Sequence, residues 1–227
     1  MSGNANGATS LQIEYRTAAS FLMAYAVSFA RGAVFVETER IIEIGTPIAL
    51  QLAIPEHGLF DLTGVCRFRR PEDDEDGPPG LGIELSPGFD ALGAIVDRLS
   101  LAYDGVSVLL VAGDNQDRTS LTRLLKSIVT TAEVVSATDA HLAEAVLDDD
   151  IDLAIVDGDF DAEAAVQTIS AAREMPIPVP TIALASGTKV GDRLRAAGAD
   201  EVATNPPPLA ELQQVLVRAL ARPRRVR

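Results

Sequence analysis

From Gly105 to the C-terminus the chain repeats one pattern five times, a short apolar run followed by a helical segment, and this rhythm restricts the fold more than any other feature. The pairs are VSVLLVA then RTSLTRLLKSIV, AEVVSA then AHLAEAVLDD, LAIVD then AEAAVQTISAAR, TIALAS then VGDRLRAAG, and EVAT then LAELQQVLVRAL. Parallel strands must be joined by long crossovers, so the alternation predicts an α/β doubly wound, parallel five-stranded sheet with helices on both faces. Before Gly105 the rhythm differs. Strand-like runs AVFVET, PIALQLAI, LTGVCRF and LGIEL are broken by turn residues, which predicts an all-β barrel. Residues 89–102, FDALGAIVDRLSLA, carry apolar side chains at helical spacing and are expected to close that first unit as a helix. The expected domains are therefore residues 11–102 and 105–222, with 1–10 and 223–227 as flexible tails.

Composition narrows the function classes. With 33 acidic and 19 basic residues among 227, the formal charge is −14 and is shared by both halves. Such a field repels nucleic acid and anionic lipid, so neither is expected as a partner. The apolar runs fall short of the roughly 20 residues that cross a bilayer, and the polar start MSGNANGATS has no basic-then-apolar leader pattern. A cytoplasmic location without membrane insertion is the expectation. The single cysteine, Cys66, excludes an internal disulfide and a sulfur-rich metal site. Residues 72–76, EDDED, lack the alternating ligands of a calcium loop and read as a solvated hairpin turn, loosely paired with Arg67, Arg69 and Arg70. No nucleophile with a base, phosphate loop or metal cluster is visible, so no enzyme activity, metal or cofactor is expected.

Three segments of the second half carry more. IDLAIVD ends a buried strand in Asp157, TIALAS ends the next in Ala185 and Ser186, and GADEVATNPP places Asn205 before Pro206. On these segments, residues 105–222 resemble the receiver domain of response regulators. The resemblance implies that Asp157 occupies the phosphoacceptor position. It also implies an acidic, magnesium-holding pair at the end of the first strand, a Thr or Ser at the end of the fourth, and a Lys before the proline after the fifth. Spacing from Arg118, Leu121, Leu124 and Leu125 puts Ala112 and Gly113 at the acidic pair, with Asp114 just outside; a one-residue slip would retain Asp114. Ala185 stands for the hydroxyl and Asn205 for the lysine. Phosphoryl transfer depends on a metal and cations around a spread negative charge, so these changes predict a pseudo-receiver. Asp157 reads equally as a vestigial acceptor or as a cap for the following helix, and Asp159 and Asp161 as solvated loop carboxylates.

In the first half, ARGAVFVET and RPEDDEDGPPGLGIEL are the specific segments. They resemble the PilZ family, in the branch common in gliding bacteria, over about residues 11–100. The resemblance implies cyclic di-GMP held by Arg-x-x-x-Arg and by Asp/Asn-x-Ser-x-x-Gly. Bidentate arginine forks suit phosphates and guanine faces. Here no arginine precedes Arg16, and Ser28, Ala30 and Ala33 stand at the Asp/Asn, Ser and Gly positions, leaving Arg31 and Arg16 as cations. A degenerate pocket is expected.

Together these readings describe a non-catalytic bacterial signalling adaptor that docks other signalling proteins, in motility or polarity control. A homo-oligomer through the receiver-like half is also expected. Its docking face would comprise residues 192–197, 201–204 and 211–220. A phosphorylation-dependent regulator using Asp157 and a divergent cyclic di-GMP receptor stay open as alternatives.

Overall fold

The computed structural model describes residues 9–55, 57–72, 78–87 and 91–226, and the chain divides into two compact units. The first comprises residues 1–102 and 223–227, the second residues 103–222. Residues 1–8 of the expected N-terminal tail, acidic-turn residues 73–76 and the first residues of the expected closing helix, 89 and 90, lie outside the described residues.

The first unit carries β1 (Thr9–Glu14), α1 (Ala18–Val27), β2 (Ala33–Glu37), β3 (Pro47–Ile54), β4 (Gly58–Arg70), β5 (Gly80–Leu85) and α2 (Ala91–Leu101). Its sheet runs β1-β3-β4-β5-β2, with β1 and β3 parallel and the later pairs antiparallel. Strands β3 and β4 alternate buried and exposed residues as a sheet with one covered face requires. The sheet curls into a half-barrel but stays open, β2 forming one edge. This corrects the expectation of an all-β barrel. The segment AASFLMAYAV forms α1, capped by Thr17 Oγ1, which accepts from the Ser20 N–H at 3.2 Å. It is apolar on nearly every face, so it shows no helical period that a sequence reading could separate from buried strand. It earns its place through an aromatic cluster: the rings of Tyr15, Phe21 and Phe29 meet at centroid distances of 5.7, 6.3 and 6.1 Å, all fully or nearly fully buried.

The second unit carries β6 (Val106–Val111), α3 (Asn115–Ile128), β7 (Ala132–Ala137), α4 (Ala140–Val146), β8 (Leu153–Asp157), α5 (Ala162–Glu174), β9 (Thr181–Ala185), α6 (Thr188–Ala197), β10 (Glu201–Thr204) and α7 (Leu209–Ala221). All its strand pairs are parallel, in the order β10-β9-β8-β6-β7. This is the 2-1-3-4-5 order of flavodoxin-like sheets, whose switch point opens a crevice beyond the carboxyl ends of the first and third strands, here β6 and β8. Strands β8 and β9 are buried at every position, as strands covered on both faces must be. Leu109, Ile169, Val179, Ala183 and Leu194 lie in its core. At the opposite end of the sheet two carboxylates fasten the strand starts: Asp152 accepts from the Ser107 N–H and Asp200 from the Thr181 N–H, both at 2.8 Å.

The chain then returns to the first unit. The C-terminal residues, expected to fray, place β11 (Arg225–Val226) antiparallel to β1, with Ile13 opposite Val226 and the Arg224 N–H donating to the Glu14 carbonyl at 2.7 Å. An open β1 edge offers backbone groups that an extended tail can satisfy.

Candidate functional site

The carboxyl ends of β6, β8, β9 and β10 gather the receiver-like positions. The β6–β8 ladder ends at Val111 beside Val156, so Ala112 follows next to Asp157. The β8–β9 ladder ends at Asp157 beside Leu184, and the β9–β10 ladder at Ala185 beside Thr204. Asp157, Ala112, Gly113, Ala185 and Asn205 thus converge on one crevice, while Asp114 sits at its rim as the N-cap of α3. There it accepts from the N–H groups of Gln116 and Asp117 at 2.7 and 3.1 Å.

Asp157 is only 7% exposed. Its Oδ1 accepts from the Asp159 N–H and from Asn205 Nδ2, both at 2.9 Å. The same Asn205 nitrogen donates to Asp159 Oδ2 at 3.1 Å, and the Ser186 N–H donates to that oxygen at 2.8 Å. One amide therefore ties two carboxylates together, and neither has an ion-pair partner among the described residues. Burial pushes the Asp157 carboxyl above its usual range; the N–H groups of Asp159 and Phe160 oppose this, while the nearby Asp159 and Asp117 carboxylates add to it. Asp157 does not cap α5. That role falls to Asp161, which accepts from the Glu163 and Ala164 N–H groups at 3.0 Å. Asp159 is an exposed loop carboxylate, as expected, and its Oδ2 also accepts from Ser186 and Asn205.

Phe160, which the sequence reading passed over, and Arg118, used there only to set the spacing, complete the arrangement. A Cβ built on Gly113 would lie 1.9–2.2 Å from ring atoms of Phe160, so the phenyl ring occupies the space where any side chain at position 113 would project. Phe160 is 63% exposed, so its ring lies over Gly113 at the surface. Arg118 donates from one guanidinium nitrogen to the carbonyls of Ala112 and Gly113, both at 2.7 Å, fixing the β6–α3 turn. The signal for Phe160 was available: it is the one large apolar residue in the acidic stretch DGDFDAE.

In the first unit Ser28, Ala30, Arg31 and Ala33 fall at one turn. Ser28 ends α1, Phe29–Arg31 make a 3-10 turn, Gly32 adopts a left-handed conformation with φ of 73°, and Ala33 opens β2. Ser28, Arg31 and Ala33 line a groove of about 410 Å³ with Phe35, Phe68, Gly82, Arg67 and Glu84. Ala30 is exposed and does not line it. Arg67 is paired with Glu84 at 2.5 Å, and Arg70 lies over the Phe35 ring at 4.5 Å. Arg16 is buried, 4% exposed, and is not a surface cation.

Among the described residues no group of His, Cys, Asp and Glu could hold a metal ion, and no helix is long and apolar enough to cross a membrane.

No protein-family model and no curated protein matches the chain. Solved structures match its second unit. The receiver domain of a sensor histidine kinase from Pseudomonas aeruginosa, which holds a magnesium ion in its active-site cleft, is 24% identical, covering 51% of this chain and 98% of its own, with a TM-score of 0.45. A chemotaxis response regulator of Vibrio cholerae is 22% identical over 50% and 98%, with a TM-score of 0.43. The receiver domain of a DNA-binding response regulator from Colwellia psychrerythraea is 19% identical over 50% and 96%, with a TM-score of 0.44. The strand order and registers of the second unit themselves define it as a receiver-like α/β sheet.

Proposed function

We propose that the chain is a non-catalytic adaptor of bacterial signalling, joining a PilZ-like unit to a pseudo-receiver and acting in the cytoplasm by docking other signalling proteins. Motility or polarity control is the setting suggested by the PilZ resemblance alone. One observation carries the reading. The crevice around Asp157 is closed from within: Phe160 fills the space beside Gly113, and the Asn205 amide holds Asp157 and Asp159. Asp157 Oδ1 is already taken up by the Asp159 N–H and the Asn205 amide, and no described cation pairs with the carboxylate. Charge stabilisation is most of what phosphoryl transfer requires, and Asn205 stands where the resemblance expects a lysine to supply it.

A surface is what remains to act. On the face of α6, β10 and α7, ion pairs tie the end of α7 to β10 and the residue before it, Arg218 with Glu201 at 2.7 Å and Arg222 with Asp200 and Glu201 at 3.5 Å, and α7 presents the half-exposed Leu209. It would serve a partner protein or a second copy. Incubation of the full chain with acetyl phosphate and magnesium, read by intact mass, tests the proposal. No added phosphate is expected. A labile adduct lost in Asp157→Asn would establish the phosphorylation-dependent regulator instead, and micromolar binding of cyclic di-GMP by calorimetry would establish the receptor reading.

A further inference from the structure

The two edges of the first unit's sheet are finished differently. At β1, Arg40 donates to the Ser10 carbonyl at 2.8 Å, and β11 covers Ile13 and Glu14, so that edge is blunted. At β2 the Gly32 carbonyl accepts from the Leu85 N–H at 2.8 Å and the Thr38 N–H donates to Pro79 at 3.1 Å. In an antiparallel ladder these alternate positions all face the paired strand, so Ala33 and Phe35 turn their backbone groups to the open side. The Ala33 N–H reaches only the Ser28 carbonyl, at 3.5 Å, and the N–H and C=O of Phe35 have no partner among the described residues.

The groove lies against this edge, and its charge runs opposite to that of the molecule. In a chain of net −14, Arg31 and Arg67 line it and Arg70 lies beside it on the Phe35 ring, against the single carboxylate of Glu84. Arg31 is exposed and its guanidinium makes no ion pair or hydrogen bond among the described residues, so its charge is available. Phe35 and the 48%-exposed Phe68 supply apolar surface between the cations.

We infer that the open edge of β2 and the adjoining groove dock an extended acidic segment of a partner protein, added to the sheet as a further strand. Backbone bonds to Phe35 and Ala33 hold the segment, and the alternate side chains that face the groove are carboxylates, which lie beside Phe35 and meet Arg31. The inference rests on the adaptor reading and deepens it by giving one docking site its partner chemistry.

The test uses the full chain and a fluorescein-labelled octapeptide alternating Glu and Val, read by fluorescence anisotropy. It should bind at least tenfold more tightly than the same peptide with Lys for Glu, and lose at least tenfold on Arg31→Glu. N-methylation of the peptide's alternate amides, which leaves the protein untouched, should also cost at least tenfold, and bound peptide should slow hydrogen exchange at the Phe35 amide. Absence of binding by the Glu–Val peptide overturns the proposal, as does equal binding of its N-methylated form. So does self-association of the chain that Arg31→Glu abolishes, since the occupant would then be a second copy. Failure here leaves the phosphodonor result unaffected, whereas phosphate on Asp157 would sink the adaptor reading without touching the peptide data.

Discussion

The crevice of the second unit and the groove of the first are both candidate sites, yet their polar groups are arranged in opposite ways. In the crevice each group faces inward to another group of the same chain: Asn205 to Asp157 and Asp159, Ser186 to Asp159, Arg118 to the turn after β6, Phe160 over Gly113. In the groove Arg31 is exposed, Arg67 keeps an exposed pair with Glu84, and the backbone of Phe35 is unpaired among the described residues. A site whose donors are already used binds only by breaking bonds it has made. A site whose donors are free loses nothing but water. The two sites therefore differ physically, one an internal brace and the other an open surface.

The comparison is broken most directly at Asn205. If the crevice is a brace, Asn205→Ala leaves the buried Asp157 with one donor fewer and Asp159 with only Ser186, and should cost about 2 kcal/mol of stability in urea unfolding. A change near zero would show that the amide is ornamental. Arg118→Met keeps the aliphatic stem but removes two bonds to the carbonyls of Ala112 and Gly113, and should cost about 1 kcal/mol. In the groove the matching truncation, Arg31→Ala, should lie within about 0.5 kcal/mol of wild type, because an exposed side chain without a partner holds nothing in place. Equal losses at Arg31 and Asn205 would erase the distinction between the two sites.

The strand–helix alternation made the second unit legible because buried parallel strands and amphipathic helices have different periods, and VSVLLVA or LAIVD cannot be solvated. Helix α1 was hidden for the converse reason, since AASFLMAYAV is apolar throughout and its conformation is decided by Thr17 and by packing of Phe21 onto Tyr15. Strand β11 is two residues long, too short for any pattern, and exists because β1 offers it an edge. At the site, spacing from Arg118 put Ala112 and Gly113 at the end of the second unit's first strand, where the structure has them, but did not reveal what surrounds them. That Asn205 reaches Asp159 as well as Asp157, and that Phe160 folds back over Gly113, depends on loop geometry that no local period encodes.

The smallest expected effect tests the brace through its charge. Burial, with the carboxylates of Asp159 and Asp117 nearby, holds the Asp157 carboxyl above its usual range, so the folded chain binds that proton more tightly than the unfolded chain. Its ionised form is thus a burden above the folded-state value, and the burden lifts as pH falls through that value toward the unfolded one, about 3.9. Asp157→Asn keeps an oxygen to accept from Asp159 and Asn205 but carries no charge. Wild type should therefore gain stability relative to Asp157→Asn as pH drops from 7 toward 4, the gain saturating below the unfolded value. Denaturant midpoints measured in parallel across that interval give the sign, because the remaining carboxylates are common to both proteins. A difference that stays level, or that moves in favour of the asparagine variant on acidification, would mean that Asp157 is held as a comfortable anion. The crevice would then still be poised for a cation, which is what an internally closed site cannot be.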